Sequence, residues 1–163
     1  MRILGIDPGL AITGYGVIDV RGSFISLKEA GIIKTSYKEK LQDRLIKIYD
    51  GIIQIVEENK PDTAVIEKLY SHYKHPTTAI LMGHVRGVLY LAIRKNKVAL
   101  FEYPAKRVKK AVVGRGDAAK EQVARMVQGF LNLKYAPSPL DVSDALALAI
   151  AHAYISKGQK GLR

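Results

Sequence analysis

Four carboxylates share one setting in this sequence, because each stands where an apolar strand or helix begins or ends; they are Asp7, Glu67, Asp141 and Asp144. Side chains at strand ends leave the core while their backbone stays rigid, and sites in α/β sheets form there. The last two acids are three residues apart, so on a helix they project from the same face. The pattern predicts that the four acids gather at one site.

The chemistry predicted for such a site is that of a hard divalent cation. Carboxylate oxygens prefer Mg²⁺ or Mn²⁺, and the sequence has no cysteine that would favour a softer metal. Four gathered carboxylates resist joint ionisation unless cations offset their repulsion. Two ions roughly 4 Å apart are the usual arrangement for in-line attack on a phosphodiester. We therefore expect two Mg²⁺ ions, for which Mn²⁺ can substitute, and hydrolysis of a nucleic-acid backbone.

Each acid also has a purely structural interpretation. Asp7 opens the turn Asp-Pro-Gly, and Glu67 could be a solvated strand end. Asp141 follows Ser138 by three residues, which is close to a capping box. Asp144 is harder to explain this way, because the helix after it is apolar on nearly every face and no Lys or Arg lies within one turn. A buried carboxylate needs a partner, and a metal ion would serve.

The basic residues indicate a polyanionic partner. The net charge is +11 and the sequence pI is about 9.8, which favours nucleic acid, although solubility alone is the alternative. One segment concentrates the positive charge, in Lys106, Arg107, Lys109, Lys110, Arg115 and Lys120. A solvated basic helix would look the same, but Gly114 and Gly116 would let the backbone approach a phosphate closely.

A second candidate for DNA contact is the stretch 68–75, where Tyr70 and Tyr73 alternate with Lys68 and Lys74. Aromatic rings among cations are typical of surfaces that stack on unpaired bases. We assign no role to the two histidines of the stretch.

Hydrophobic periodicity and turn residues predict the elements that position these groups. The predicted strands span 2–6, 13–20, 23–35, 63–66 and 98–103, and the predicted helices span 39–59, 76–95, 105–112, 117–131 and 140–155. Short connections make the first three strands an antiparallel meander, and Asp117 is expected to cap the fourth helix. The sequence predicts one α/β domain over 1–163, with a mixed sheet flanked by helices and a short basic tail at 157–163.

The helix predicted over 76–95 has apolar residues on more than one side. One stripe would contain Ile80 or Leu81, Val85, Val88 and Ala92, and another Met82, Leu89 and Ile93. Gly83 and Gly87 make a flat spot between them, and His84 should be packed rather than catalytic. We expect one side to face the core and the other to meet a second subunit; a helix buried within the monomer is the alternative.

Composition excludes several classes of protein. With no cysteine, the chain has no disulfide, thiol nucleophile or Cys-ligated zinc. A carboxylate at residue 7 leaves no room for the apolar core of a signal peptide, and no apolar run reaches the ~18 residues of a membrane helix. We expect a soluble, cytoplasmic protein without a membrane partner.

In combination, these motifs resemble the RuvC family of Holliday-junction resolvases, and the resemblance covers almost the whole chain. The matching segments are GIDPGLAITGYGV at 5–17, VIEKLY at 65–70, LMGHVRGVL at 81–89, FEYPAKRVKKAVVGRGDAAKEQV at 101–123 and PLDVSDALALAIAH at 139–152. Two positions depart from the family pattern. Lys68 stands where glutamine is usual, and Tyr70 stands where phenylalanine is common.

The resemblance implies an RNase H-like fold with a mixed five-stranded sheet. It also implies a homodimer that makes paired symmetric nicks in four-way DNA junctions during recombination and repair, alongside branch-migration proteins. It makes the four carboxylates the metal ligands, Lys109 and Lys120 functional lysines with Lys120 catalytic, and Tyr70 a residue that stacks on junction bases. The dimer contact would involve Gly83, His84, Gly87 and Val88.

Three other functions compete with this one. An ATP-using domain of the actin, Hsp70 and sugar-kinase class also begins with a strand, an aspartate and glycines, but it needs two such lobes. A related nuclease could act on some other RNA or DNA. A non-catalytic junction-binding module is the third, and the clustered acids argue against it, because they would weaken binding to phosphates unless metals occupied them.

Overall fold

A mixed sheet of five strands forms the centre of the molecule. The computed structural model describes residues 1–68 and 76–160, with side chains through residue 156. The strands are β1 (Arg2–Asp7), β2 (Ile12–Arg21), β3 (Phe24–Lys34), β4 (Thr63–Glu67) and β5 (Ala99–Tyr103), in the order β3-β2-β1-β4-β5. The first three are antiparallel, and β4 and β5 run parallel to β1. The predicted meander and mixed sheet are confirmed.

The parallel pairing of β1 and β4 brings two of the acids to one edge of the sheet. Ile6 is paired with Ile66, so Asp7 and Glu67 follow at the same ends of neighbouring strands. Side chains alternate between the two faces of a strand. Asp7 therefore shares a face with Ile3, and Glu67 shares that same face with Val65, because Ile3 and Val65 belong to one buried cluster.

Five helices cover the two faces of the sheet: α1 (Leu41–Asn59), α2 (Pro76–Lys95), α3 (Ala105–Val113), α4 (Lys120–Phe130) and α5 (Leu140–Lys160). Helices α1 and α2 pack with Leu4 and Ile66 on one face, and α3, α4 and α5 pack with Ile3 and Val65 on the other. Each face buries its own apolar cluster, so the domain is a three-layer α/β/α arrangement.

Helix α5 lies on the sheet at three glycines of β1 and β2. A Cβ atom at Gly5 would lie 1.9 Å from the carbonyl oxygen of Ala145, and one at Gly14 would lie 2.2 Å from that of Asp141. At Gly16, a Cβ atom would meet the side chain of Leu146 at 2.4 Å. Only glycine leaves room for this contact, in which the backbone of the helix approaches the backbone of the strands.

Several predicted boundaries need correction. Asp117 does not cap α4, which begins at Lys120 after Ala119; Asp117 forms an ion pair with Arg115, and the side chain of Gln122 accepts the Ala119 N–H instead. Helix α5 continues to residue 160, so the first part of the predicted basic tail is helical. Helix α1 begins at 41 rather than 39; Glu39 belongs to a turn before it, in which its carboxylate accepts the backbone N–H of Ser36.

The two apolar stripes predicted for α2 are wrong. Its buried face combines members of both, namely Val85, Leu89, Ala92 and Ile93, and Val88 packs against the same cluster. The outer face is exposed and contains Ile80, Gly83, His84, Gly87 and Leu91. These residues recur at helical spacing, and Cβ atoms at the two glycines would meet nothing within 4 Å. His84 is therefore not packed within the domain.

Within the described ranges, 1–68 and 76–160, no helix combines the length and the apolar composition that crossing a bilayer requires.

The close seat of α5 can be tested by adding one methyl group. Gly5→Ala is expected to lower the free energy of unfolding by about 1–3 kcal/mol, because the strand and helix must move apart. Gly129→Ala on α4 is the matched control: a Cβ atom there has open space, so alanine should stabilise the helix by up to about 1 kcal/mol. Urea denaturation measures both, and equal effects would contradict the tight contact.

Candidate active site

The four predicted acids converge at one end of the sheet. Asp7 ends β1, Glu67 ends β4, and Asp141 and Asp144 lie in the first two turns of α5, which packs across both strands. Gly14, the residue paired with Asp7 across the β1–β2 ladder, is also the residue on which Asp141 rests. The glycine seat of α5 thus brings the helix acids to the strand acids.

Asp7 lies at the centre of this acidic cluster. Burial, followed by the negative charges of Asp144, Glu67 and Asp141, raises the pKa of Asp7 from 3.8 to about 7, and the positive charge of Lys120 opposes that shift. A half-buried carboxyl group beside three other acids holds its proton to an unusually high pH. A positive charge placed near these carboxylates would therefore be bound favourably.

Glu67 responds to the same surroundings. Burial raises its pKa, and the charge of Asp144 adds to the effect, while Lys120, Arg86 and Lys109 lower it. The negative charge of Asp144 thus acts on both strand acids, so the strand ends and the start of α5 are electrostatically coupled. Perturbed carboxyl groups of this kind cluster at functional sites.

Lys120 provides the nearest positive charge. Its Nζ donates a hydrogen bond to Oδ2 of Asp144 at 2.6 Å, and that bond raises the pKa of Lys120. The Asp144 side chain is 21% exposed and that of Lys120 is 59% exposed, so the pair lies at the mouth of the site. The lack of a cation within one turn of Asp144 therefore did not mean that no cation pairs with it. The partner, Lys120, comes from another helix and is 24 residues away along the chain.

The structural interpretations of the acids are weakened. Asp7 and Glu67 are half-buried and lie beside other acids, so neither is a simple turn residue or a solvated strand end. In the part of the chain that the structure describes, no hydrogen bond joins Ser138 to Asp141, and the Ser143 hydroxyl instead donates to the carbonyl of Pro137. Capping therefore does not account for Asp141.

A cleft of about 230 Å³ opens beside the acids. Its lining combines two carboxylates, Glu67 and Asp144, with two cations, Lys109 and Lys120, and the remaining lining is apolar: Ala105, Val108, Val123, Ala147 and Leu148. A cleft that places cations beside carboxylates suits an anionic substrate, which the cations would hold while it reacts near the carboxylates.

The donor chemistry of the cluster fits a hard divalent cation. All four side chains offer carboxylate oxygens, and their mutual repulsion would be relieved by a cation among them. Over residues 1–68 and 76–160, no three His, Asp or Glu side chains already stand in an arrangement that could hold a metal ion. The assignment of these acids as metal ligands therefore stays a prediction.

Most of the predicted DNA-contacting cations lie on or beside α3. Lys106, Arg107 and Lys110 are exposed on α3, whereas Lys109 turns into the cleft. Arg107 also lies over the ring of Tyr103, 5.1 Å from its centroid. The side chain of Arg115 is held by Asp117 through bonds of 2.9 and 3.3 Å.

The remaining predicted contacts lie at the end of β4. Lys68 is exposed directly after Glu67, and its backbone N–H donates to the Tyr103 carbonyl at 2.8 Å. Tyr70 and the rest of 69–75 lie outside the described residues.

One residue of the site was missed by the sequence interpretation. Arg86 of α2 is buried, and its Nη1 donates to the backbone carbonyl of Glu67 at 2.5 Å. The signal was present in the sequence, because a lone cation stands within the apolar segment 80–93. A charged residue on the buried face of a helix requires partners, and here they are the Glu67 carbonyl at the end of β4 and the Glu102 carboxylate on β5.

Comparison with known proteins yields one family. The family model for "Crossover junction endodeoxyribonuclease RuvC" matches residues 3–152. The protein of that name from Rhodopirellula baltica is 44% identical over 154 residues, covering 94% of this chain and 86% of its own length.

Two solved structures extend the comparison. Thermus thermophilus RuvC is 33% identical with a TM-score of 0.90, covering 98% of this chain and 97% of that one. The same protein in complex with Holliday junction substrate is 34% identical with a TM-score of 0.92, covering 98% and 96%. The fold is thus the RNase H-like α/β fold expected from the sequence.

The acidic cluster predicts how stability depends on pH. Asp7 has a higher pKa in the folded state, so unfolding releases a proton and stability falls as the pH rises between 3.8 and about 7. Asp7→Asn removes this loss, which is at most about 4 kcal/mol from the size of the shift and less where water screens the group. Its melting temperature in EDTA should exceed that of the unaltered protein at pH 8 and match it near pH 3.5.

Saturating Mg²⁺ should reduce the difference in melting temperature between Asp7→Asn and the unaltered protein at pH 8. The reason is that a cation that binds the ionised acids stabilises mainly the unaltered cluster. Thermal unfolding across the pH range measures both effects. A constant advantage of Asp7→Asn at every pH would show that charge repulsion is not its cause.

Proposed function

The chain belongs to the RuvC family of crossover junction endodeoxyribonucleases, and from this premise we propose that it resolves Holliday junctions by paired symmetric nicks during recombination and repair. The observation that supports this most directly is the convergence of Asp7, Glu67, Asp141 and Asp144 beside Lys120. Carboxylates that can hold hard cations, next to a basic cleft, suit hydrolysis of a phosphodiester.

In this proposal the four carboxylates hold two Mg²⁺ ions per subunit, with Mn²⁺ as a substitute. The bound ions would supply the Lewis acidity that activates water and stabilises the departing 3′ oxygen. The carboxylates contribute negative oxygens at fixed positions, because two come from strand ends and two from a helix seated on glycine. Rigid supports of this kind are what a precise site needs.

Lys120 and Lys109 act on the substrate phosphate. Lys120 is held at the cleft mouth by Asp144, so its ammonium faces incoming DNA and can stabilise negative charge that grows on the phosphate. Lys109 reaches the same cleft from α3 and helps to hold the strand. We assign Lys120 a catalytic role and Lys109 a binding role.

A wider basic surface would guide the junction into this cleft. Its proposed members are Lys68, Lys106, Arg107, Lys110 and Arg115, which lie at the end of β4, along α3 and in the loop after it. They would contact phosphates, and their effect should weaken with salt. Tyr70, in the segment next to Glu67, would stack on bases at the junction centre.

We further propose that the exposed face of α2 forms a homodimer. Ile80, Gly83, His84, Gly87 and Leu91 make a stripe in which two glycines would let a second helix approach closely. Val88 is a further proposed member of the interface; it is partly buried and also packs on the core of its own domain. A twofold dimer would present identical sites to opposed strands of a nearly twofold junction.

The physiological setting follows from the substrate. Junction DNA and the absence of cysteine support the cytoplasm as the site of action. By family resemblance, branch-migration proteins would work with the dimer there.

The proposed function is tested by offering the protein a labelled synthetic four-way junction and linear duplex of the same sequence, with Mg²⁺ or with EDTA. We expect paired nicks in the junction alone and only with the metal. Asp7→Asn should abolish cleavage while sparing binding, and Asp50→Asn, an exposed acid on α1, is the matched control that should cut normally.

Each other outcome favours a different function. Binding without cutting under any divalent metal would support a junction-binding module. Equal cutting of linear DNA would keep the nuclease and discard the junction as its proper substrate.

The dimer surface is tested by placing a charge on it. Leu91→Asp should raise the dimer dissociation constant by at least about 100-fold, because an ionised side chain would be desolvated at the contact. Ile46→Asp on α1 is the matched control, since Ile46 is 57% exposed and Leu91 is 61% exposed. Sedimentation equilibrium measures both, and an unchanged dimer in Leu91→Asp would place the interface elsewhere.

A further inference from the structure

Arg86 is a buried charge that the proposed mechanism does not use. It lies on the buried face of α2, beside Val85 and Leu89, and only 7% of its surface is exposed. A guanidinium in such surroundings is costly unless every donor finds an acceptor. The hydrogen bonds and the ion pair of Arg86 therefore indicate its role.

Those contacts lead to the end of β4 and its neighbour β5. Nη1 of Arg86 donates to the carbonyl oxygen of Glu67 at 2.5 Å. Nη2 donates to the hydroxyl of Tyr90 at 2.5 Å and forms an ion pair with Glu102. The Tyr90 hydroxyl in turn donates to the same Glu102 oxygen at 2.5 Å, so the guanidinium is fixed by a carboxylate and a phenol.

The bond to Glu67 completes the fixation of one peptide unit. The peptide that joins Glu67 to Lys68 has its N–H bonded to the Tyr103 carbonyl on β5, at 2.8 Å, and its carbonyl bonded to Arg86. Both polar groups of this peptide are therefore anchored at the point where β4 ends. This restricts the backbone rotation that would otherwise swing the Glu67 side chain away from Asp7 and Asp144.

The side chain and the backbone of Glu67 make their contacts on opposite faces of the sheet. The Glu67 side chain points to the face that α5 covers, while the bond from Arg86 reaches its backbone from α2, on the opposite face. Glu102, paired in register with Ile66, belongs to the α2 face and holds the guanidinium in place. Arg86 thus acts on Glu67 without approaching the cleft.

We propose that Arg86 is a positioning residue for Glu67: it locks the peptide after the catalytic glutamate and so fixes the direction in which that carboxylate enters the acidic cluster. The proposal rests on the proposed function for its catalytic consequence. Arginine suits the task better than lysine, because its planar fork serves the Glu67 carbonyl with one nitrogen and the Tyr90–Glu102 pair with the other.

The test combines single-turnover cleavage of a four-way junction with metal binding. Arg86→Met should slow cleavage about 10- to 100-fold and weaken Mn²⁺ binding, measured by calorimetry, by a similar factor. Junction binding in Ca²⁺ should stay within about threefold, because the basic surface is untouched. Arg86→Lys should recover only part of the loss, since one ammonium cannot span both acceptors.

A matched control lies on the same helix. Arg94 donates to the backbone carbonyl of Val98 at 3.0 Å, which is the same kind of contact near the C-terminal end of α2. Arg94→Met should leave cleavage and Mn²⁺ affinity within about twofold of the unaltered protein. If it slowed cleavage as much as Arg86→Met, general loosening of α2 would be the cause and the proposal would fail.

A double-mutant cycle separates positioning from packing. In a Glu67→Gln background, Arg86→Met should cause little further loss of Mn²⁺ affinity, because the carboxylate it positions is already gone. Full additivity of the two losses would overturn the proposal. This readout needs no junction cleavage, so it tests Arg86 even if the proposed function fails.

Arg86→Met could unfold the domain, since it leaves Glu102 without its cation. Thermal unfolding checks this, and Tyr90→Phe is the milder alternative, because it removes only the hydroxyl that braces Arg86 and Glu102. It should weaken Mn²⁺ binding by about twofold to fivefold. Unchanged Mn²⁺ affinity in Tyr90→Phe and in a folded Arg86 variant would disprove positioning.

Discussion

Helix α5 touches the backbone of β1 and β2 at glycines 5, 14 and 16, and the rest of the site depends on this contact. A side chain at any of the three would lift the helix by the width of a methyl group and carry Asp141 and Asp144 with it. Since the strand acids cannot follow, the distance between the two pairs of carboxylates is set by the absence of three Cβ atoms. Chemistry at the surface is thus governed by packing in the interior.

The same contact holds together groups that repel one another. Burial and three neighbouring acids raise the pKa of Asp7, so the cluster is assembled against its own electrostatics. The free energy for this comes from the apolar body of α5, whose residues from 145 to 151 are all buried. The acidic cluster thus lowers the stability of the fold, and the apolar packing of α5 behind it offsets that loss. Lys120 relieves part of the repulsion through its bond to Asp144.

The sequence predicted the order of the elements and the convergence of the four acids, because strand ends and an apolar helix leave clear local signals. It failed where a partner comes from far along the chain. No local pattern around Asp144 indicates its contact with Lys120, and none around Glu67 indicates its contact with Arg86. The buried face of α2 was also misjudged, since its apolar residues fit more than one stripe and only packing against the sheet selects among them. The cap assigned to Asp117 failed for a local reason instead, because the neighbouring Arg115 pairs with the carboxylate.

The two apolar clusters lie on opposite faces of the sheet and share no helix. Helices α3, α4 and α5 contain most of the surface that would meet DNA, and α1 and α2 form the other side, with the stripe around Gly83 and Gly87. Substitutions on one side can therefore accumulate without repacking the other. Changes in DNA binding and changes in subunit pairing can therefore arise nearly independently, and Arg86 connects the two sides, because it lies on α2 and bonds the end of β4.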